Sequence, residues 1–287
     1  MVTKHQARNF YFAFLSLPSR HRPAVYAIYA FCRACDDFAD DERPDKEKLA
    51  LLEEHRQRLG ACFAGDPQGP VFVALHDAAQ HYPLSRGLFD EIITGVQMDL
   101  TFRRYATFDD LYKYCYRVAS TVGLISLEVF GYKGEGARQH AIDMGIAMQL
   151  VNILRDVKED AARDRVYLPL EDLARFGYPE GGLATGMMNE DFRQLMRFEA
   201  DRAREYFQRS APLFPMIARD CRACPTILVA LYSRLLDRIE ARGWNVFGSR
   251  IRLSASEKIW LATKTWAALS MTKPAGKGPQ TGGARLS

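Results

Sequence analysis

The sequence lacks the marks of several protein classes. No run of about 18 uninterrupted apolar residues occurs, so no transmembrane helix is expected, and the start, Met1-Val-Thr-Lys-His5, has no signal-peptide core. Basic residues exceed acidic ones only by 39 to 35, without the concentrated Lys/Arg run of nucleic-acid-binding proteins. We therefore expect a cytoplasmic globular protein that binds no nucleic acid. Peripheral contact with the inner face of a membrane stays open.

Two common kinds of metal site are also missing. A di-iron carboxylate bundle needs Glu-x-x-His, which does not occur in the sequence, and a calcium-binding loop needs a twelve-residue acidic segment centred on Gly. Two Cys-x-x-Cys pairs are present, Cys32/Cys35 and Cys221/Cys224, but neither has a His nearby in the sequence. We expect buried, inert thiols rather than a zinc site.

Strand-like alternation and fixed-period repeats are almost absent, whereas helical periodicity runs through most of the chain. The pattern predicts an all-α, single-domain bundle of helical hairpins around a central cavity, formed by residues 1–271. Residues 272–287 are Gly-rich and polar, which predicts a disordered tail. The predicted helices cover 24–41, 46–63, 71–81, 84–100, 108–130, 137–162, 170–176, 191–207, 225–242 and 254–271, with a loop at 177–186 and a continuation of the bundle at 211–220.

Polar side chains follow one face of the predicted helix 137–162. Gln149, Asn152, Asp156 and Asp160 fall within an arc of about 80°, next to an apolar face and beside Arg155. Two amides and two carboxylates at one-turn spacing suit a hard divalent cation and a polyanion. A solvated acidic stripe gives the same pattern, and this segment alone does not separate the two interpretations.

A matching stripe lies on the predicted helix 24–41. Arg33, Asp36 and Asp40 share a face within about 60° of arc. Two helices that each present Asp-x-x-x-Asp inward can hold Mg²⁺ between them, because Mg²⁺ prefers oxygen ligands and takes the remainder from phosphate. Arg33 and Arg155 could neutralise the negative charge that the metal ions leave uncompensated. The second stripe therefore favours a metal and diphosphate site.

The predicted cavity walls are Phe, Leu, Ile, Val and Met side chains, so the rest of the ligand should be hydrocarbon. A diphosphate with a hydrocarbon chain is a prenyl diphosphate. Metal ions would stabilise the departing diphosphate. Apolar walls would exclude water, so that an allylic cation survives long enough to react with an alkene.

Three segments also resemble a known family, the head-to-head trans-isoprenyl diphosphate synthases, which comprise the squalene, dehydrosqualene and phytoene synthases. The likeness covers about Asn9 to Arg252. Its motifs are specific in combination, and they are Tyr29-Ala-Phe-Cys-Arg-Ala-Cys-Asp-Asp-Phe-Ala-Asp40, Tyr114-Cys-Tyr-Arg-Val-Ala-Ser-Thr-Val-Gly123 and Gln149 to Asp160 followed by Arg165-Val-Tyr-Leu-Pro169. The resemblance implies the isoprenoid synthase type of helical bundle.

The resemblance also implies residue roles. Two or three Mg²⁺ ions would be held by Asp36, Asp40, Asn152, Asp156 and Asp160. Tyr114 would lie near the reacting carbons, where a hydroxyl could steer proton loss or a ring could stabilise charge. Diphosphate or metal contacts would come from Arg33, Gln149, Asn152, Arg155, Tyr232 and Arg250, the last two on weaker alignment.

Within the family, the opening Asn9-Phe-Tyr-Phe-Ala-Phe14 and the wording Tyr116-Arg-Val-Ala-Ser-Thr-Val-Gly123 are most similar to bacterial presqualene diphosphate synthases of the hopanoid pathway. Those enzymes join two farnesyl diphosphates. We expect no NADPH, since no Gly-x-Gly-x-x-Gly fingerprint occurs and the tail 272–287 is not an apolar anchor. Many relatives have Gly at the position of Ser120. This difference affects the expected depth of the cavity and therefore the expected chain length of the substrate.

Alternatives remain at this point. Phytoene synthase, which joins two geranylgeranyl diphosphates, and dehydrosqualene or squalene synthase share the same motifs. A non-catalytic scaffold of this fold is an alternative of another class, although it has no reason to keep four inward aspartates. Contact with downstream isoprenoid enzymes is also left open.

Overall fold

The computed structural model describes residue 10 and residues 13–271. The predicted disordered tail, 272–287, lies outside these residues. The described part of the chain is all-α, as predicted, and within it the only extended pairings are two isolated bridges, Arg104–Val166 and Tyr132–Ile217. No helix among the described residues is long and apolar enough to span a membrane.

The helices, in chain order, are α1 (Arg22–Asp40), α2 (Asp45–Phe63), α3 (Pro70–His81), α4 (Arg86–Thr101), α5 (Phe108–Cys115), a π-helical turn (Tyr116–Ser120), α6 (Thr121–Phe130), α7 (Ala137–Ala161), α8 (Leu170–Arg175), α9 (Gly181–Thr185), α10 (Glu190–Ser210), α11 (Leu213–Met216), α12 (Ala223–Ala241) and α13 (Ala255–Met271). Most predicted helices agree with these bounds to within a few residues. Three segments differ.

The predicted loop 177–186 contains the short helix α9. Gly182 lies so close to Tyr178 that a Cβ there would be 2.8 Å from its ring, and the Tyr178 hydroxyl donates to the Met187 carbonyl over 2.9 Å. The segment 211–220 is helical only over Leu213–Met216. It then turns extended at Ile217, which pairs with Tyr132. The first difference accompanies contacts within the segment itself, and the second accompanies a pairing with the distant Tyr132.

Helix α1 carries the first acidic stripe to one end of the cavity. Pro23 occupies the first turn, where its missing N–H costs nothing. Apolar side chains including Val25, Ile28 and Phe31 are buried in the core. The backbone turns extended at Asp41 and the helix ends. Asp36 and Asp40 therefore occupy its last two turns.

The predicted helix 108–130 is interrupted by the π-helical turn. Gly95 of α4 packs so closely on this turn that a Cβ would lie 2.7 Å from Val118 Cγ1, and a Cβ on Gly145 of α7 would lie 2.5 Å from Ser120 Cα. The Ser120 hydroxyl donates to the Ile142 carbonyl over 2.8 Å. Small residues thus allow close approach of α4 and α7 to the turn, a kind of irregularity often found at functional sites. Ser120 is fully buried here and does not line the cavity.

Helix α7 is the centre of the bundle. It packs along α10 and also contacts the π-helical turn, α6 and α12. Ile146, Ala147 and Val151 are fully buried, and one contiguous apolar core surrounds them. The core fixes α7 from several sides, so its polar stripe has a defined orientation.

All six cysteines are buried and free. Although Cys221 has no histidine nearby in the sequence, the fold brings His21 beside it, and candidate metal-ligand atoms of His21, Asp220 and Cys221 lie within 4.8 Å of one another. Arg20 forms an ion pair with Asp220, and burial raises the pKa of the Cys221 thiol to about 12. These features fit a protonated, structural thiol.

His55 provides a test of the core. It is only 6% exposed, lies 4.9 Å from the Phe31 ring and 4.8 Å from the Phe72 ring between centroids, and its Nε2 has no partner among the described residues. Burial lowers the pKa of His55 to about 4. Between pH 6.5 and 4 the unfolded chain therefore binds a proton that the folded chain does not, and stability falls as the pH is lowered through this window.

We expect His55→Leu to remove this acid sensitivity, which amounts to about 3 kcal/mol across the window. Urea denaturation at pH 7, 6, 5 and 4 measures it as the change in the free energy of unfolding. The exposed His81→Gln is the control and should leave the slope unchanged. An equal slope in wild type and His55→Leu would contradict the assignment.

Candidate active site

A large apolar cavity lies between α1, α4, α6, α7 and α12. Its volume is about 1320 Å³, the open mouth included. Apolar side chains make up most of the wall, and they include Val25, Ile28, Ile92, Val96, Val122, Leu127, Phe130, Met144, Met148, Ile217 and Leu228. Polar side chains in the lining come from the two predicted stripes, two tyrosines and one serine of α6, and they are Arg33, Asp36, Gln149, Asn152, Tyr29, Tyr232 and Ser126.

The first stripe meets this cavity at α1. Asp36 is 8% exposed and lines the cavity together with Arg33, whose guanidinium pairs with Asp37 at 2.6 Å. Asp40, one turn beyond, lies 3.4 Å from Arg163, just after the end of α7. The ends of the two acidic helices are therefore close together.

The second stripe meets the same cavity at α7. Gln149 and Asn152 line it, and the Asn152 amide donates to the Gln149 Oε1 over 3.2 Å. Asp156 and Asp160 continue the stripe by one and two turns, and both are buried. Arg33 and Asp36 of the first stripe and Gln149 and Asn152 of the second therefore line one cavity, whereas Asp40, Asp156 and Asp160 lie outside its lining.

Asp156 is held by two arginines. Arg155 Nε donates to it over 2.7 Å, and Arg250 donates from Nε and Nη2 over 2.7 to 3.0 Å. Burial alone would raise the pKa of Asp156, but the hydrogen bonds and charge of the two arginines lower it below the usual value. The carboxylate is therefore ionised, and Arg250, 94 residues away in the sequence, belongs to the site.

Asp160 has the opposite electrostatic environment. Burial raises its pKa to about 7, and the charge of Asp156 adds to the rise. Asp99 of α4, a buried carboxylate, contributes in the same direction. No Lys or Arg of the described residues forms an ion pair with Asp160. The positive charge of Arg165 opposes this rise, and a further cation at this point would oppose it more strongly.

Tyr114 lies behind the acidic residues and outside the cavity lining. It is 1% exposed, stacks on Tyr167 at 5.1 Å and contacts Tyr105 at 5.5 Å between ring centroids. The Tyr167 hydroxyl donates to Asp99 over 2.6 Å. Burial raises the pKa of Tyr114 well above its usual value, so the phenol is neutral.

Two tyrosines do line the cavity. Tyr232 is fully buried, and the burial that raises its pKa is opposed by Arg155 and the Asn152 amide beside its hydroxyl. Tyr29 has a buried hydroxyl with no hydrogen-bond partner among the described residues. The predicted site omitted Tyr29, although it lies two helical turns before Asp36 on the same face. It also omitted Asp99.

The donor set fits a hard divalent cation. Asn152 Oδ1 is buried and has no hydrogen-bond partner in the described part of the chain, an arrangement that costs free energy unless a ligand satisfies it. Asp36 of α1 lines the same cavity, and Asp156 follows Asn152 one turn along α7. In the described part of the chain, no three carboxylates of the two stripes bring oxygens within 4.8 Å of one another. Oxygen donors of this kind suit Mg²⁺ or a similar ion. Asp156 accepts hydrogen bonds on both oxygens, so it could serve as a ligand only after Arg250 turns toward another anion.

Comparison with known proteins shows the family of this chain. The profile of the family described as squalene/phytoene synthase matches residues 3–257. This chain belongs to the squalene/phytoene synthase family. Members catalyse head-to-head isoprenoid synthesis, and the expected prenyltransferase class is confirmed at that level.

Similar relatives of known name are phytoene synthases. The chain is 40% identical to 15-cis-phytoene synthase of Synechococcus elongatus over 90% of this chain and 88% of that protein. It is 36% identical to phytoene synthase of Mycobacterium tuberculosis over 96% and 91%.

Among solved structures, a dehydrosqualene synthase in complex with ligand superposes with a TM-score of 0.86 at 32% identity, over 94% of each chain. Squalene synthase HpnC from Alicyclobacillus acidocaldarius gives 0.79 at 27% identity, over 85% of this chain and 91% of that one. The fold type is confirmed, whereas the neighbours do not agree on one substrate.

Tyr232 and Arg250 are the predicted site residues with the weaker sequence signal, and Arg250 provides a direct test. We expect Arg250→Ala to weaken binding of inorganic pyrophosphate in the presence of Mg²⁺ by about tenfold to a hundredfold, the value of a hydrogen-bonded charge. Isothermal titration calorimetry measures the dissociation constant of pyrophosphate for each protein. Arg252→Ala, an exposed neighbour, is the matched control and should bind as wild type. Equal affinities of both variants would remove Arg250 from the site.

Proposed function

We propose that the chain is a Mg²⁺-dependent enzyme that joins two farnesyl diphosphates head to head to give presqualene diphosphate with release of diphosphate. The observation that carries the proposal is the convergence of two acidic helices, α1 and α7, on the mouth of one apolar cavity. The acidic and basic side chains at the ends of α1 and α7, together with Arg250, form a polar rim that suits a diphosphate. The apolar cavity walls suit a prenyl chain. The motif wording around Ser120 favours the presqualene branch of the family.

In this proposal, the rim binds the diphosphates. Asp36, Asp40, Asn152, Asp156 and Asp160 hold Mg²⁺, which when bound supplies the charge that stabilises diphosphate as a leaving group. Basic and polar donors then orient the diphosphate oxygens, and they are Arg33, Gln149, Arg155, Tyr232 and Arg250. Because Arg250 and Arg155 already neutralise Asp156, they can exchange the carboxylate for phosphate oxygens without burying unpaired charge.

The walls protect the cation. Apolar side chains exclude water from the allylic centre, so its fate is attack by the alkene of the second substrate, with proton loss closing a cyclopropane. Tyr29 is the phenol that reaches the cavity with an unpartnered hydroxyl. The role proposed for Tyr114 would therefore be indirect, since its ring supports Tyr167, which hydrogen-bonds Asp99 behind the rim.

Phytoene synthesis from two geranylgeranyl diphosphates is the second candidate. It is favoured by the 40% identity to a cyanobacterial enzyme of that name. We propose no NADPH requirement in either case. A product that leaves as a diphosphate needs a following enzyme, so downstream isoprenoid enzymes are proposed partners.

Product analysis separates the two candidates. Purified protein with Mg²⁺ and equal concentrations of farnesyl and geranylgeranyl diphosphate should release a C30 cyclopropyl diphosphate, and added NADPH should not change the product. Mass spectrometry identifies it. A C40 product would establish the second candidate, and no turnover of any prenyl diphosphate would contradict both.

Substitution at the rim tests the metal role against a non-catalytic scaffold. Asp36→Asn keeps side-chain volume but removes a charge from the rim, and we expect turnover to fall at least about a hundredfold. Asp41→Asn, just past the end of α1, is the matched control and should stay near wild type. Circular dichroism checks the fold of both. Full activity of Asp36→Asn would count against the metal assignment.

A further inference from the structure

The apolar cavity has a long axis that runs along α1 and α7. Its lining includes Val25 and Asp36 of α1 and Ala141 and Asn152 of α7. Each pair is eleven residues apart, which is about 16 Å along a helix. The polar member of each pair, Asp36 or Asn152, is the later one in the sequence. The cavity therefore extends from a polar end toward the N-terminal ends of both helices, where its lining is apolar.

Residues 213–217, which comprise α11 and Ile217, form a wall at that apolar end. Leu213 and Ile217 line the cavity, and each is 2% exposed. Ile217 pairs with Tyr132 in an isolated bridge, and Tyr132 lies between the end of α6 and the start of α7. The bridge places these residues beside the N-terminal end of α7, at the opposite end of the cavity from Asn152. We call residues 213–217 the end wall.

Backbone hydrogen bonds join the end wall to the turn between α6 and α7. The Lys133 amide donates to the Met216 carbonyl over 2.9 Å, and the Ala218 amide donates to the Gly131 carbonyl over 2.9 Å. Helix α11 itself has only four residues, too few for a helix to be stable without other contacts. The position of the end wall therefore depends on its connections to the rest of the fold.

Arg222, directly before α12, provides a second connection. Its Nη2 donates to the Pro215 carbonyl over 3.0 Å and to the Ile217 carbonyl over 3.1 Å. A charged donor makes stronger hydrogen bonds than a neutral one. Arg222 lies outside the cavity lining, so it acts on the cavity only through the backbone of the end wall.

The end wall matters because a prenyl diphosphate would be anchored at the other end of the cavity. Polar side chains of α1 and α7 would fix the diphosphate, so the hydrocarbon chain would extend from there along the apolar lining. Side chains on the long walls contact short and long chains alike, since both pass them. Side chains across the far end meet only a chain that is long enough to reach them. A closely packed end therefore rejects added methylene groups.

We propose that the end wall, held in place by Arg222, sets the longest prenyl chain that the cavity accepts, with Leu213 and Ile217 meeting the end of the chain. Ser120, where the sequence indicates an effect on chain length, is buried against the Ile142 carbonyl and lies outside the cavity lining. The role of the end wall rests on the proposed function, since it takes the ligand to be a prenyl diphosphate. It holds for a farnesyl and a geranylgeranyl chain alike.

Substitution of Ile217 moves the end wall in either direction. Turnover of farnesyl and geranylgeranyl diphosphate by wild type first identifies the preferred chain. In Ile217→Ala, which deepens the cavity, kcat/KM for a chain one isoprene unit longer should rise at least about tenfold relative to the preferred chain. In Ile217→Phe, which shortens the cavity, kcat/KM for the preferred chain should fall at least about tenfold relative to a chain one unit shorter. Initial rates with each diphosphate measure both ratios.

Ile227→Ala is the matched control. Ile227 is also a buried isoleucine, 1% exposed on α12, but it lies outside the cavity lining. The variant leaves a similar void in the core and lowers stability, whereas both chain-length ratios should stay as in wild type. Circular dichroism and thermal denaturation check that all the variants are folded.

Arg222 is tested as a positioning residue. Arg222→Met keeps an unbranched side chain but removes both hydrogen bonds, and we expect it to shift the chain-length ratio in the same direction as Ile217→Ala, by at least about threefold. Arg222→Lys keeps a charged donor and should stay near wild type. A purely structural role would lower the melting temperature of Arg222→Met without changing the ratio, and that result would overturn the part assigned to Arg222.

Binding measurements separate the end wall from the reaction. Thiolodiphosphate analogues of the same chains resist ionisation, so isothermal titration calorimetry gives their dissociation constants without turnover, and the ratios should shift in the same directions. Unchanged ratios in both Ile217 variants, or an equal shift in Ile227→Ala, would overturn the role of the end wall while turnover by wild type leaves the proposed reaction intact. Wild type that neither binds nor turns over any prenyl diphosphate would contradict the proposed function itself.

Discussion

The paired charge at Asp156 is the interaction on which the site depends. A buried carboxylate is stable as an ion only when basic or polar partners surround it. Arg155 comes from the same helix, whereas Arg250 comes from the segment after α12. One carboxylate therefore links the central helix to the C-terminal part of the fold, and it keeps two arginines ready at the place where a diphosphate would arrive.

The two buried carboxylates of α7 have pKa values that are shifted in opposite directions. Arginines hold the pKa of Asp156 low, while burial and negative neighbours raise the pKa of Asp160 to about 7. The two groups lie one helical turn apart on one face. Shifts in opposite directions within a single cleft are typical of functional sites, because packing rather than chance must maintain them. The unsatisfied Asn152 oxygen between rim and cavity points to the same conclusion.

The fold also separates two environments that a prenyl diphosphate requires at the same time. Charged side chains collect at the ends of α1 and α7, and the cavity beyond them is apolar. In the low dielectric of such a cavity, the charges at its mouth act more strongly than they would in water.

Local periodicity determined much of this protein from sequence alone. Helix positions, both acidic stripes and the apolar walls follow from residues three and four apart, and one-turn spacing does not depend on the rest of the fold. The predicted set Arg33, Asp36, Gln149, Asn152 and Tyr232 does meet at one cavity. Tertiary structure alone decided which distant residues join it. Arg250 reaches Asp156 across 94 residues, and Tyr114 packs outside the cavity wall. The π-helical turn lies where Gly95 and Gly145 let two helices approach it closely. Such contacts depend on how whole helices pack, and helix packing is set by the complete core rather than by any one segment.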